Sequence, residues 1–327
     1  LCSKRLFRFS MIRDRRRYEA ILIWMYNRLM EKKAYLSSLD AGEIHSDRFG
    51  RASPTVKSMR MTEAEFNKIS GLSCQIISGS ARELEGLQIP AGDSLALIDA
   101  LKKTNRVSMT KKFDEFVELE SLVLDMLRDR GALNGVKGIE FPFNLRVTHP
   151  SPPPEYLSLP DATHLLHCDP WAGVPGDTVN FFFYIEVDNS ASQIEFLDIS
   201  EENLAAFEKH TGTYREAASL LEGLNPLKVE AEPGLGYVFD SYHVHRTRCG
   251  ADSIRISIDF RVRLEDPYAV LDETWFLSRV YWHRYWYLPE GTVKNFRERC
   301  FLELEKLNAL GLDEAVKFRE KAIEIMK

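Results

Sequence analysis

The chain has 327 residues, of which 44% are hydrophobic and 28% charged, and its formal net charge is −6. These values are typical of a globular protein and exclude collagen-like, coiled-coil and wholly disordered chains. The acidic balance argues against a nucleic-acid partner, and no segment approaches the roughly 20 apolar residues of a membrane span. The five cysteines are scattered and never spaced as Cys-x-x-Cys, which favours a reducing cytoplasm over a disulfide framework.

The first 135 residues are predicted to be mainly helical. Apolar residues at helical spacing predict helices over residues 14–36, 93–103 and 111–130. Thr62 and Glu65 form a capping-box pattern at the start of a further helix. Gly131 is a plausible helix stop, and the polar residues 40–60 are predicted to form a loop.

The middle of the chain is rich in β-forming residues. Strands are predicted over residues 141–147, 179–187, 236–240 and 254–262. Residues 150–154 are predicted to form a proline-rich loop, and residues 201–222 a helical insertion. The last strand alternates between an apolar face and a polar face, and the polar face consists of Arg255, Ser257, Asp259, Arg261 and Arg263. That face would contact solvent, or it would line a polar interior that binds an anion.

The end of the chain is predicted to be helical again, over residues 269–287, 292–308 and 312–326. Seven aromatic residues lie in this part: Trp275, Phe276, Tyr281, Trp282, Tyr285, Trp286 and Tyr287. They would pack against the sheet or form a subunit interface, as in a homodimer. A β-rich centre between helical flanks fits a central sheet or barrel supported by helices, and it does not fit alternating βαβ units.

Two short motifs carry metal-binding side chains. His167 and Asp169 are two residues apart, so on an extended segment both point the same way and can bind one metal ion. This pattern is weak on its own, since His45 and Asp47 repeat it in a polar loop without matching partners. Further along, a glycine turn and a short apolar strand end in His243-Val244-His245.

Taken together, these motifs and Arg255-Ile256-Ser257 resemble the Fe(II)/2-oxoglutarate-dependent oxygenases, and most of all their phytanoyl-CoA-hydroxylase-like and antibiotic-biosynthesis branch. The resemblance covers about residues 139–263 and includes a strand bearing Arg146 and an aromatic strand that begins near Asn180. It implies an α+β fold with a double-stranded β-helix (jelly-roll, cupin-like) core.

The implied organisation is a single oxygenase domain over residues 1–327. Residues 1–135 would form an N-terminal helical flank, residues 136–265 the β-barrel core and residues 266–327 the C-terminal helices.

The resemblance also implies the metal ligands. His167, Asp169 and His245 would bind Fe(II) and form the catalytic centre. His243 is the alternative to His245, and the ten-residue spacing to Arg255 favours His245.

The second implied cofactor is 2-oxoglutarate. Arg255, assisted by Ser257, would bind its distal carboxylate, with Arg261 as the alternative cation. Asn180 and Arg146 are further candidates for contact with the cosubstrate or the substrate.

The implied reaction is the hydroxylation or related oxidation of a small molecule by dioxygen, for example in natural-product biosynthesis. Related halogenases lack the carboxylate ligand, so the presence of Asp169 favours hydroxylation. Two other hypotheses remain open: a cupin-like metal enzyme that does not use 2-oxoglutarate, and a non-catalytic barrel that binds a ligand.

Overall fold

The computed structural model describes most of the chain between residues 31 and 264, together with residues 285–287. The described ranges are 31–32, 34–39, 42–45, 56–81, 84–90, 93–104, 113–141, 143–150, 162–172, 174, 177–188, 193–200, 203, 206–207, 214–248, 250, 252–264 and 285–287.

The described helices lie before the central strands. They are α1 (Glu63–Ser80), α2 (Ser94–Leu101) and α3 (Phe113–Asp129), and residues 34–38 are also helical. The strands are β1 (Gly42–His45), β2 (Val56–Arg60), β3 (Gly138–Phe141), β4 (Asn144–Thr148), β5 (Thr178–Val187), β6 (Ile194–Phe196), β7 (Leu235–Asp240), β8 (His245–Thr247), β9 (Arg255–Arg263) and β10 (Tyr285–Tyr287). Short 3-10 helices span Asp169–Ala172 and Glu216–Leu221.

The main sheet of the described residues has eight strands, and its paired strands are antiparallel. Its order is β1-β2-β7-β5-β9-β3-β10, and β4 also pairs with β9. A smaller sheet consists of β6 and β8. The fold is therefore α+β with antiparallel sheets.

The central strand β5 shows how the layers pack. Phe181 and Phe183 point to one face, where they join an apolar core with α1, α2 and α3. Phe182 and Tyr184 point to the other face and pack with Phe196 of β6. Because side chains of a strand alternate between faces, the main sheet is covered by helices on one side and by the small sheet on the other.

The polar face of β9 lies inside the protein. Arg255 is 1% exposed, Ser257 0% and Arg263 3%, and only Asp259 on this face is partly exposed, so the face is not a solvent-facing surface. Two of its buried arginines are paired with carboxylates, since Arg263 donates two hydrogen bonds of 2.8 Å to Asp177 and Arg261 donates to Asp169. The apolar face belongs to the core shared with the helices, as the alternation predicts.

Several local predictions are confirmed. Both predicted helices in residues 93–130 are present as α2 and α3. The capping box is formed, with Thr62 accepting from the Glu65 N–H and the Glu65 carboxylate accepting from the Thr62 N–H. Gly131 follows α3 with a φ of 68°, a left-handed conformation that suits glycine.

Two local predictions are wrong. Residues 40–60 contain β1 and β2 where a loop is expected, because β2 pairs with β7 along its whole length and that pairing supplies the hydrogen bonds. Residues 285–287 form strand β10 beside β3, so the predicted helix over 269–287 does not hold there. The predicted strand over 141–147 is divided between β3 and β4.

Part of the sequence prediction lies outside the described residues. This applies to residues 14–30, to most of the proline-rich loop and to the remaining C-terminal helices, with Trp275, Phe276, Tyr281 and Trp282 of the aromatic cluster. In the predicted helical insertion, the described residues include helical positions 203 and 206–207 and the 3-10 helix Glu216–Leu221. No helix in the described part of the chain is long and apolar enough to cross a membrane.

Gly236 of β7 provides a test of the sheet packing. A Cβ atom there would lie 2.2 Å from Cδ1 of Phe183 and 2.7 Å from the backbone oxygen of Phe182. We expect Gly236→Ala to lower the free energy of unfolding by about 1–3 kcal/mol, because the central strands must move apart. Gly71→Ala is the control, since a Cβ atom added there would have no neighbour within 4 Å and alanine favours the helix. Equal denaturant midpoints for the two variants would contradict the close contact of Gly236 with Phe182 and Phe183.

Candidate metal centre

Three of the predicted residues converge at one point. The ligand atoms of His167, Asp169 and His245 all lie within 4.8 Å of one another. Oδ1 of Asp169 lies 3.8 Å from Nε2 of each histidine. All three residues are buried, so their donor atoms face each other away from bulk water.

Backbone pairing sets this arrangement. His167 and His245 form an antiparallel bridge, in which each N–H donates to the other's carbonyl at 3.0 Å. Asp169 begins a 3-10 helix, and its N–H donates to the Ser241 carbonyl at 3.1 Å. Two segments that are far apart in the chain are thereby held in register.

The two imidazoles present the same nitrogen to the centre. Nδ1 of His167 lies 2.7 Å from the Leu165 carbonyl oxygen, and Nδ1 of His245 lies 2.9 Å from that of His243. A carbonyl oxygen only accepts hydrogen bonds, so each Nδ1 carries the proton and each Nε2 has a free lone pair. Such hydrogen bonds orient metal-binding histidines in proteins.

The Asp169 carboxylate is held on its other side by an arginine. Oδ2 accepts from Nε of Arg261 at 2.8 Å, and Nη1 of Arg261 donates to Glu140. All three of these residues are buried. Arg261, the alternative cation for 2-oxoglutarate, is thus bound to the aspartate.

The pKa values of the three residues suit metal binding. Burial, with the neighbouring His245, lowers the pKa of His167 to about 3. Burial also lowers the pKa of His245. For Asp169, burial by itself would raise the pKa, but Arg261 and the two histidines outweigh it, so the pKa lies below its usual range. Neutral imidazoles and a charged carboxylate are the protonation states in which these side chains bind a cation.

His243 and Cys168 are directed elsewhere. Nε2 of His243 lies 3.0 Å from the Leu197 carbonyl oxygen, and its ring packs edge-on against Phe196. Cys168 points into an apolar cluster and donates to the Tyr242 carbonyl. His245, rather than His243, joins the converging group.

Arg255 lies on the same side of the small sheet as His245. Its Nη2 donates to Oγ1 of Thr148 at 3.0 Å and to Oγ1 of Thr247 at 3.3 Å. Thr247 is two residues beyond His245 on β8, so its side chain points to the same face about 7 Å along the strand. The hydroxyl of Ser257, next on the same face of β9, is buried without a hydrogen-bond partner among the described residues.

Asn180 and Arg146 have different surroundings. Asn180 is buried on β5 opposite Arg261, and its side-chain nitrogen lacks a hydrogen-bond partner in the described structure. Arg146 is paired with Asp259, which also accepts from Asn144. Asp259 lies two residues before Arg261 on the same face of β9.

Sequence reasoning missed Tyr214. Its ring stacks on His167 with a centroid distance of 4.3 Å and an interplanar angle of 16°. Trp171 packs beside it and donates to the Phe207 carbonyl. No sequence signal identifies Tyr214, because it lies in an insertion that meets His167 only through the fold.

The donor set fits a divalent transition metal. Two neutral imidazoles and one carboxylate supply about three of the roughly six ligand positions of such an ion and leave the others open, as in non-haem Fe(II) oxygenases. Among the described residues, His167, Asp169 and His245 are the group with metal-binding geometry.

Comparison with known proteins gives structural neighbours only. No protein-family model and no curated protein matches the chain. An N-substituted L-amino acid dioxygenase from Burkholderia ambifaria AMMD has 18% identity and a TM-score of 0.30, covering 63% of this chain and 81% of its own. The same kind of dioxygenase in complex with alpha-KG has 16% identity and a TM-score of 0.31, covering 64% and 81%. The apo non-heme monooxygenase ThoJ has 14% identity and a TM-score of 0.36, covering 82% and 92%.

Arg261 is expected to stabilise the centre. Arg261→Met would leave two buried carboxylates without their cation, so we expect the free energy of unfolding to fall by about 3–5 kcal/mol. Arg60→Met is the control, because Arg60 pairs with Glu232 on the surface, where both side chains are more than half exposed and ion pairs contribute little. Urea unfolding measures the free energy of unfolding of both variants. A similar loss in Arg261→Met and Arg60→Met would contradict the pairing assigned to Arg261.

The buried histidines also predict a pH dependence. Below pH about 6.5 an unfolded histidine binds a proton, whereas folded His167 stays neutral down to its pKa of about 3. The metal-free protein should therefore lose stability as pH falls through this window, by up to about 1.4 kcal/mol per pH unit for this histidine. In denaturant titrations at several pH values, we expect the free energy of unfolding of His167→Asn to depend less steeply on pH than that of the unmodified chain. Equal slopes for the two proteins would contradict this expectation.

Proposed function

We propose that the protein is an Fe(II)- and 2-oxoglutarate-dependent oxygenase that hydroxylates a small molecule. The observation that carries the proposal is the buried group of His167, Asp169 and His245, with both Nε2 lone pairs and one carboxylate oxygen directed to the same point. A buried group of this kind has high desolvation costs and is rarely retained without a bound cation or a catalytic task.

The surrounding residues support an iron site. Bound Fe(II) would supply a redox centre at which dioxygen oxidises the substrate as 2-oxoglutarate is converted to succinate and carbon dioxide. The chain's contribution is to orient the two imidazoles through backbone carbonyls, while burial keeps both rings neutral. Arg261 keeps Asp169 ionised and oriented. The ring of Tyr214 covers one face of His167, and Trp171 packs beside Tyr214.

Arg255 is the proposed anchor for the distal carboxylate of 2-oxoglutarate. It is a buried cation that donates to the hydroxyls of Thr148 and Thr247. The step of about 7 Å from His245 to Thr247 along β8 is comparable to the length of a five-carbon dicarboxylate. The buried hydroxyl of Ser257 would add a donor to the same carboxylate, and the amide of Asn180 is a further polar contact.

The sheet arrangement is compatible with a double-stranded β-helix core. The main sheet and the small sheet pack through a shared apolar cluster, while the polar face of β9 lines the space beside it. In this interpretation the chain is one oxygenase domain, with helices supporting the main sheet. The presence of Asp169 in the metal group favours hydroxylation over halogenation.

The first test is spectroscopic. Anaerobic protein with Fe(II) and 2-oxoglutarate should develop a weak visible charge-transfer band, and His167→Ala should abolish it.

The second test concerns 2-oxoglutarate binding. Arg255→Met should weaken 2-oxoglutarate binding by about 10- to 100-fold, because a charge-assisted contact is lost, while Fe(II) affinity is unchanged. Arg246→Met is the matched control, since Arg246 lies on the same strand as His245 but pairs with Glu195.

The outcomes distinguish the three hypotheses. Succinate formation in a screen of small-molecule substrates supports the proposed function. Fe(II) binding without the band or succinate would indicate a metal enzyme that does not use 2-oxoglutarate. A protein that binds no Fe(II) in calorimetry would instead be a non-catalytic barrel.

A further inference from the structure

A buried lysine from the N-terminal segment contacts the turn that leads to His245. Lys32 is 3% exposed, and its Nζ lies 2.7 Å from both carboxylate oxygens of Asp240. The same Nζ lies 5.0 Å from the centroid of the Tyr242 ring. Asp240 is the last residue of β7 and is itself buried.

The Asp240 carboxylate organises the turn. Its Oδ1 accepts from the Tyr242 N–H at 2.8 Å. The backbone carbonyl of the same residue accepts from the His243 N–H, also at 2.8 Å. One buried side chain therefore links the lysine to the backbone of the residues that precede His245.

The carbonyl groups of this turn hold the other ligand segment. The Ser241 carbonyl accepts from the Asp169 N–H at 3.1 Å, and the Tyr242 carbonyl accepts from the thiol of Cys168 at 2.9 Å. The turn thus contacts the His167–Asp169 segment directly, and it leads within two residues into His245.

We propose that Lys32 is a positioning residue for the metal centre, acting through Asp240 and the turn at residues 240–243. This inference rests on the proposed metal site and extends it to a residue outside the resembling segment 139–263. The lysine compensates the charge of a buried carboxylate, which would otherwise be buried without a cation. The fixed carboxylate then keeps the turn carbonyls aimed at Asp169 and Cys168.

A second buried lysine provides the matched control. Lys57 of β2 is 6% exposed, and its Nζ lies 3.1 Å from the Leu39 carbonyl oxygen and 3.5 Å from that of Ser37. It therefore stabilises the end of the same N-terminal helical segment through contacts that do not involve the turn. Both lysines stabilise the fold, but only Lys32 contacts the metal-binding region through Asp240.

The test uses Co(II) as the metal, bound anaerobically to the purified apo chain. We expect Lys32→Met to lower Co(II) affinity by about 10-fold or more in calorimetry, since partners that orient metal ligands commonly contribute this much, and to change the Co(II) absorption spectrum. Lys57→Met should lower the thermal midpoint but leave Co(II) affinity within about 2-fold of the unmodified chain. In the double variant Lys32→Met/Asp240→Asn, the thermal midpoint should recover, because no unpaired charge is buried, while Co(II) affinity stays low.

Three results would overturn the inference. The first is unchanged Co(II) affinity and spectrum in Lys32→Met. The second is an equal loss of affinity in Lys57→Met, and the third is full recovery of affinity in the double variant. Absence of Co(II) binding by the unmodified chain would overturn the metal site and this inference together. Normal Co(II) binding without 2-oxoglutarate turnover would count against the proposed reaction alone.

Discussion

Asp169 is a buried carboxylate, and the surrounding structure is arranged to keep it charged and fixed. Burial favours the protonated acid, so an ionised aspartate in this position requires nearby positive charge or hydrogen-bond donors. Arg261 supplies the charge, and the Ser241 carbonyl fixes the backbone of Asp169. Both histidines then face the opposite oxygen of the same carboxylate.

Pairing of buried charges extends from this point through the sheet. Arg261 also contacts Glu140, Arg263 contacts Asp177 and Lys32 contacts Asp240. A polar interior is tolerated only when such groups are paired, because each unpaired charge costs several kcal/mol. Arg255 differs from these three, because it donates to the hydroxyls of two threonines, one of which lies on the same strand as His245.

Prediction from sequence succeeds where the cause is local. The capping box at Thr62 depends on residues three positions apart, and the alternation of β9 depends only on the two-residue period of a strand. The strands β1 and β2 were not predictable in this way, because a polar segment forms a strand there by pairing with β7. Likewise, Tyr214 and Lys32 reach the site through tertiary contacts that leave no pattern in the sequence.

The sequence by itself determined which residues are chemically suited to the site: two histidines and an aspartate for a cation, and arginines on one face of a strand. The spacing to Arg255 favours His245 over His243, and the tertiary structure supplies the physical reason, since the ring of His245 directs Nε2 to the centre while that of His243 contacts the Leu197 carbonyl. The tertiary structure also distinguished Arg255 from Arg261, which lie on the same face of β9. Arg261 is bound to Asp169, whereas Arg255 donates to two threonine hydroxyls. The reason is physical, because a side chain's role is set by the partners that packing places beside it, and those partners come from distant parts of the chain.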